Sequence, residues 1–280
     1  MRLDHLLSRG YGHSVMESPN PQESEPQPLP AGILARHPWL TFLFPFLVYM
    51  LMGMLEPQPP AAGDELLDDS ASWMEFEVPY RYYPVVYTVK IGVTTLAMLF
   101  VLPGYRTFPL RMTLLGAMVG IVGGLVWIGL SELQLEHQIL SRVGLDRWIE
   151  MGGRSAFNPI EEIGTSTVGA YLFLAIRFFG LVVVVPIIEE FFLRGFVMRY
   201  VMAEQWWKVP FGQVNTTAVV AGIALPVLYH PEMLAALVWF SGVTWLMIRT
   251  RSLWNCVLAH GLTNLILGVY VVASGHWWLM

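Results

Sequence analysis

Two carboxylates and a guanidinium interrupt an apolar stretch near the middle of the chain. Glu189, Glu190 and Arg194 lie within residues 185–195, where most of the other side chains are apolar. On a helix, adjacent residues point about 100° apart, whereas residues four apart share a face. Glu190 is therefore expected to pair with Arg194, which leaves Glu189 without an obvious partner. Such a carboxylate in a dry cavity is suited to act as a general base.

Three further polar side chains lie in later apolar stretches. His230 is in one of them, and His260 and Asn264 are in another, four residues apart and therefore on one helical face. Counted from the nearest polar loops, Glu189, His230 and His260 lie at comparable depths. The pattern predicts one cavity, in the cytoplasmic half of the protein, lined by all four side chains. The alternative is a paired charge cluster that only fastens the helices together.

Two kinds of hydrolytic chemistry fit these residue types. Glu189 and His230 could activate a water molecule while His260 and Asn264 donate hydrogen bonds to the oxyanion that forms when water attacks an amide. Alternatively, Glu189, His230 and His260 could hold a zinc ion with a bound water. Either arrangement would hydrolyse a peptide bond. We expect the metal-free arrangement and no cofactor, because Asn264 is a poor zinc ligand but a good amide donor.

The composition is that of a membrane protein. The 280 residues are 55% hydrophobic and only 13% charged, against about 25% charged residues in soluble domains. The net charge of −5, with 16 lysines and arginines, offers no basic surface for nucleic acid. A single cysteine, Cys256, excludes an internal disulfide and a cysteine-rich metal site. The expected partners are membrane lipid and a peptide or membrane-protein substrate.

Apolar runs of about 20 residues predict an all-α transmembrane bundle of about seven spans, or eight if the longest run is split. The runs lie at 38–55, 83–102, 110–130, 166–200, 214–229, 232–248 and 253–273. Residues 1–36, rich in Pro, Glu, Ser and Gln, are predicted to be a disordered cytoplasmic tail. Residues 37–164 form an N-terminal transmembrane region of three helices and their loops.

The distribution of Lys and Arg predicts a cytoplasmic N-terminus. With seven spans, ten cations fall on the side of the N-terminus and four on the other, as the positive-inside rule expects. Lys90 and Arg177 fall within apolar runs. We expect these two side chains to snorkel outward to the membrane surface.

The motifs resemble those of the CPBP (CAAX protease and bacteriocin-processing, or Abi) intramembrane proteases. Glu189-Glu190-Phe-Phe-Leu-Arg194 matches EExxxR, and His260-Gly-Leu-Thr-Asn264 matches HxxxN, in the family's order. The resemblance covers roughly 165–275, which we take as the protease-like domain. The middle motif departs from the family's FxxxH, because Pro226 stands where the aromatic residue is expected before His230. The long N-terminal membrane region is similar to CAAX-protease-related proteins of bacterial exosortase systems.

The resemblance implies a CAAX-protease-like endopeptidase in a bacterial inner membrane. It assigns Glu189 and His230 to water activation, His260 and Asn264 to the oxyanion, and Glu190 and Arg194 to support. Two other functions stay open. A non-catalytic relative could serve as an immunity or scaffold protein, which the Pro226 departure favours. A proton-coupled transporter could use the carboxylate as a relay, although no pair of inverted repeats is evident.

Overall fold

The structure, a computed structural model, describes residues 26–59, 78–142, 154–164 and 168–280, and every regular element within them is helical. This confirms the predicted all-α fold. The predicted disordered tail lies mostly outside the described residues. Its last part, Ile33–Arg36, forms one helical turn whose Leu34 side chain is buried.

Among the described residues, seven apolar helices cover the predicted runs. They are α1 Trp39–Gly53, α2 Tyr83–Phe100, α3 Leu114–Glu132, α4 Val168–Tyr200, α5 Thr216–Val227, α6 Met233–Thr250 and α7 Leu253–Ser274. Five of them are long and apolar enough to cross a membrane, and the chain is a multi-pass membrane protein. The other two, α1 and α5, have 15 and 12 residues. They extend about 22 and 18 Å, which is less than the roughly 30 Å of hydrocarbon.

The long run at 166–200 forms one helix of 33 residues, not two. Two π-helical segments, Gly180–Val184 and Phe191–Val197, interrupt its α-helical pattern. They flank the short α-helical piece Val185–Glu190, which carries both glutamates. Such π segments are frequent at functional sites because they re-aim side chains and leave some carbonyl groups unbonded within the helix. Helix α4 therefore presents its polar residues from an irregular scaffold.

A seam of glycines lets α3 pack closely against α7, the helix that carries His260. A Cβ atom on Gly120 would come within 2.6 Å of the Ala259 carbonyl oxygen, and one on Gly116 within 2.8 Å of Asn255 Oδ1. Glycines four residues apart share a face and allow such close backbone contact between membrane helices. The N-terminus of α7 is set by Ser252, whose hydroxyl accepts a hydrogen bond from the Asn255 amide. These contacts fix the position of α7.

Helices α5 and α6 form a hairpin whose turn is anchored to the rest of the protein. Glu232, just before α6, accepts hydrogen bonds from both terminal nitrogens of Arg154, at 2.7 and 2.8 Å. Arg154 also donates to the Leu279 carbonyl oxygen at 2.7 Å. In this turn Leu228 and Tyr229 are exposed, whereas His230 beside them is half-buried.

The expectation that Lys90 and Arg177 snorkel to the membrane surface is wrong. Both side chains are buried, because each finds a partner inside the bundle. Lys90 Nζ lies 2.6 Å from Glu56 Oε1 and 4.1 Å from the centre of the Tyr49 ring. Arg177 donates to the Phe157 carbonyl oxygen at 2.6 Å.

Candidate active site

Glu190, Arg194 and His260 form a fully enclosed cluster. The Glu190 and Arg194 side chains are 0% exposed, and Arg194 Nε lies 3.1 Å from Glu190 Oε2, so the predicted i,i+4 pair is present. The second carboxylate oxygen of Glu190, Oε1, lies 3.0 Å from His260 Nδ1. Glu190 thus ties α4 to α7 and sets the orientation of the His260 ring. It cannot reach a substrate, since it has no exposed surface.

Glu189 has a different environment from its neighbour, as the rotation between adjacent helical positions requires. Its side chain is 16% exposed, and its Oε2 lies 3.9 Å from His260 Nε2. The sequence suggested no partner for Glu189, and the structure places His260 nearest. The imidazole therefore stands between two carboxylates, with one facing each of its nitrogens.

Asn264 is held by a carbonyl group that α4 leaves unbonded. In the first π segment the Val185 amide bonds to Gly180. In that register the donor for the Leu181 carbonyl would be residue 186, which is Pro and has no N–H. Asn264 Nδ2 donates to this carbonyl instead, at 2.9 Å. The proline ahead of the glutamates thus helps to position Asn264.

The backbone carbonyl of Pro226 orients the ring of His230. His230 Nδ1 donates to the Pro226 carbonyl oxygen at 2.8 Å, so in the neutral ring Nε2 carries the lone pair. The ring packs edge-on against Trp127 and Phe240, with centroids 5.6 and 5.3 Å away. Backbone and aromatic contacts therefore orient His230, and its place in the family's middle motif stays a prediction.

One cavity of about 530 Å³ brings the four predicted catalytic side chains together. Glu189, His230, His260 and Asn264 all line it. They come from α4, from the α5–α6 turn and from α7, so His230 lies in a turn and not, as the sequence predicted, on a helix. The two supporting residues, Glu190 and Arg194, lie behind the cavity wall. The geometry offers a carboxylate, two imidazoles and an amide to a molecule bound in the cavity.

Trp239 and Thr263 also shape the site, and sequence reasoning missed both. The Trp239 ring packs edge-on against His260, with centroids 4.7 Å apart. Its Nε1 donates to Thr263 Oγ1 at 2.9 Å, and that hydroxyl donates to the Gly120 carbonyl oxygen at 2.9 Å. Nothing in the sequence marks these residues, because tryptophan and threonine are ordinary in membrane helices.

Charged residues beyond the four catalytic candidates line the same cavity. Lys90 and Arg177 are among them, together with Glu56 and Arg154. The sequence did mark Lys90 and Arg177, because ionisable residues inside apolar runs are functional by default. For Arg154 no signal existed, since its partner Glu232 lies 78 residues away.

The side chains as arranged do not present the zinc ligand set that was the sequence-based alternative. That set would bring Glu189, His230 and His260 onto one ion. Within the residues described above, no three His, Cys, Asp or Glu side chains are grouped so that they could hold a metal.

Residues 171–266 match the family described as Type II CAAX prenyl endopeptidase Rce1-like. This segment is therefore similar to CAAX prenyl endopeptidases. It covers about a third of the chain and includes all four candidate catalytic residues and both supporting residues. No curated protein and no solved structure gives a match. The matched segment supports a relationship to CAAX prenyl endopeptidases, while the exosortase subgroup stays a prediction.

Proposed function

We propose that this protein is an intramembrane endopeptidase that uses Glu189 and His230 to activate water. The observation that carries the proposal is the convergence of Glu189, His230, His260 and Asn264 on one cavity. All four residues lie in the segment that matches the Rce1-like family. Helix α4, the α5–α6 turn and helix α7 supply these side chains, and contacts to His260, the Pro226 carbonyl, Glu190 and the Leu181 carbonyl orient them. Such pre-organisation is what acid–base and oxyanion catalysis require.

The proposed step begins with a water molecule between Glu189 and His230. Its oxygen attacks the carbonyl carbon of the peptide bond, and its proton passes to the Glu189 carboxylate. The oxyanion accepts hydrogen bonds from His260 Nε2 and Asn264 Nδ2. When the carbon–nitrogen bond breaks, the proton on Glu189 passes to the departing amine. The carboxylate is then restored for the next cycle.

A doubly protonated His260 suits this role. Its Nδ1–H would donate to Glu190, and its Nε2–H would face Glu189 or, during the reaction, the oxyanion. The charges of the cluster support this state, because the carboxylates of Glu189 and Glu190 balance Arg194 and the His260 imidazolium. A net-neutral cluster avoids an uncompensated charge inside the bundle.

Terminal proteomics with wild type and Glu189→Gln tests the proposal. Purified protein in lipid vesicles is incubated with a membrane-protein extract, and newly formed N-termini are identified by mass spectrometry. Glu204→Gln is the matched control, because Glu204 is exposed in the loop after α4. We expect the same new termini with wild type and Glu204→Gln, and none with Glu189→Gln.

Two results would contradict the proposal. Identical termini from all three proteins would point to a contaminating peptidase. No new termini from folded wild type would favour the non-catalytic relative, and proton-coupled uptake into vesicles would then favour the transporter.

We also propose that the reaction needs no metal. Glu189 and His230 hold the water, and His260 and Asn264 serve as donors, so each group already has a role. Purified protein is expected to contain no stoichiometric metal and to keep its activity after dialysis against a chelator. Elemental analysis and the cleavage assay measure both. About one zinc per chain, lost together with activity and restored by added zinc, would refute the metal-free mechanism.

A further inference from the structure

The cavity reaches the protein surface at one end of the bundle. In α4 its lining residues are Arg177, Leu181, Val185 and Glu189, spaced four apart on one face. From Glu189 the cavity continues past Arg177 to the segments that follow α1 and precede α4. There it is lined by residues from 53–58 and 154–155. We call this the open end.

The opposite end of the cavity is closed by a packed layer. Phe191, Leu193 and Arg194 follow Glu189 in α4, and each is at most 1% exposed. Leu253 and Cys256 precede His260 in α7 and are equally buried. None of these side chains lines the cavity. Although Glu189 is only eleven residues from the end of α4 at Tyr200, it is reached from the other direction.

The two ends differ in charge. Seven cations lie among the described residues at the closed end, with one carboxylate, Glu204, in the loop after α4. The seven are Arg36, Arg106, Arg111, Arg199, Lys208, Arg249 and Arg251. At the open end, the described cations outside the seven apolar helices are Arg81, Arg142 and Arg154. By the positive-inside rule the closed end faces the cytoplasm.

We infer that the catalytic cavity admits its substrate from the non-cytoplasmic side, as a flexible peptide segment that carries a negative charge. The sequence alone placed the cavity in the cytoplasmic half, because Glu189 and His260 are nearer that end. Depth along a helix does not decide from which side a cavity opens. That the occupant is a substrate rests on the proposed function. The side on which the cavity opens does not depend on it.

Arg177 supports the negative charge of the occupant. Lys90 is paired with Glu56, and Arg154 with Glu232. Arg177 has no carboxylate within ion-pair distance among the described residues. It is surrounded instead by the Phe157 carbonyl and the rings of Tyr83 and Trp277. The approach to Glu189 therefore carries one positive charge without a counterion, which an acidic side chain or terminal carboxylate would balance.

The length of the approach bounds the segment. Arg177 and Glu189 are twelve residues apart on one helix, which is about 18 Å. An extended peptide advances about 3.3 Å per residue, so roughly five residues span this distance. The predicted substrate has its negative group about five residues from the bond that is cut. A folded domain would not fit.

Cysteine accessibility in cells and inverted membrane vesicles tests the side of the opening. Gln58→Cys reports the open end and Gln205→Cys the closed end, because both glutamines are exposed. Leu181→Cys reports the cavity itself, and Leu267→Cys replaces it if the first variant does not fold. The native Cys256 is fully buried, so wild type supplies the unlabelled background. The probe is a membrane-impermeant methanethiosulfonate that carries a sulfonate.

We expect Gln58→Cys and the cavity cysteine to be labelled from outside cells, and Gln205→Cys only in inverted vesicles. If the cavity cysteine is labelled from the same side as Gln205→Cys, the cavity does not open at the open end, and the inference is overturned. Labelling of Gln58→Cys from the inside alone would reverse the orientation and overturn the non-cytoplasmic assignment. Labelling needs no catalysis, so either failure is distinct from failure of the peptidase proposal.

The charge of the reagent tests the acidic occupant. The sulfonate reagent should label Leu181→Cys at least about threefold faster than a trimethylammonium reagent. Arg177→Gln should remove this preference. Equal labelling rates by the two reagents in the presence of Arg177 would overturn the inference that the segment carries a negative charge. If the faster labelling by the sulfonate reagent vanishes in vesicles containing anionic phospholipid, Arg177 binds a lipid phosphate. This result would also overturn the proposed acidic peptide segment.

Discussion

Arg194→Ala is expected to destabilise the protein far more than Glu189→Ala. Arg194 is paired with the buried Glu190 carboxylate, and neither side chain has any exposed surface. Removing one partner of a buried pair costs roughly 3–5 kcal/mol, because the other charge stays buried without compensation. Glu189 lines the cavity, so its truncation is expected to cost about 1 kcal/mol or less. Thermal unfolding and the monodisperse fraction in detergent measure both effects.

A double variant separates the lost pair from lost packing. Glu190→Gln combined with Arg194→Met removes both charges and keeps an amide oxygen that can accept from His260 Nδ1. This variant should recover most of the stability that Arg194→Ala loses, since neutral replacements of a buried pair are often tolerated. Arg249→Ala, at an exposed position, is the control and should behave as wild type. Similar losses from Arg194→Ala and Glu189→Ala would show that the pairing through Glu190 is not important.

His230→Ala is expected to lower the cleavage rate by about 10²–10⁴-fold, the range typical of a lost general acid or base. The protein should stay folded, because His230 lies in the α5–α6 turn, which Glu232 and Arg154 hold independently. The rate is measured on a cleavage found by terminal proteomics. His276→Ala is the matched control, since this histidine is 41% exposed and does not line the cavity.

Rescue by added imidazole distinguishes a catalytic role of His230 from a structural one. The cavity of about 530 Å³ is large enough for a free imidazole molecule to occupy the space left by the truncated side chain. Partial recovery of the rate with imidazole is expected for a lost base. A variant that cleaves at the wild-type rate without imidazole would remove His230 from the mechanism. It would also favour the non-catalytic relative, to which the Pro226 departure from the family motif points.

Local patterns in the sequence determined the helices and the candidate residues. Hydrophobic runs identified the seven apolar helices of the described residues, because backbone inside a membrane must satisfy its own hydrogen bonds. The spacing of Glu190 and Arg194 determined their pairing, and the spacing of His260 and Asn264 their common face, because both follow from helical geometry. These features depend on residues only a few positions apart.

Tertiary structure alone decided which groups complete the site and from where it is reached. Lys90 pairs with Glu56, Arg154 with Glu232, and Asn264 with the Leu181 carbonyl. Snorkelling was the wrong expectation for Lys90 because its partner comes from a different segment. The partners in the last two contacts are 78 and 83 residues apart. Such contacts, and the open end of the cavity, depend on how helices pack, which no local periodicity encodes.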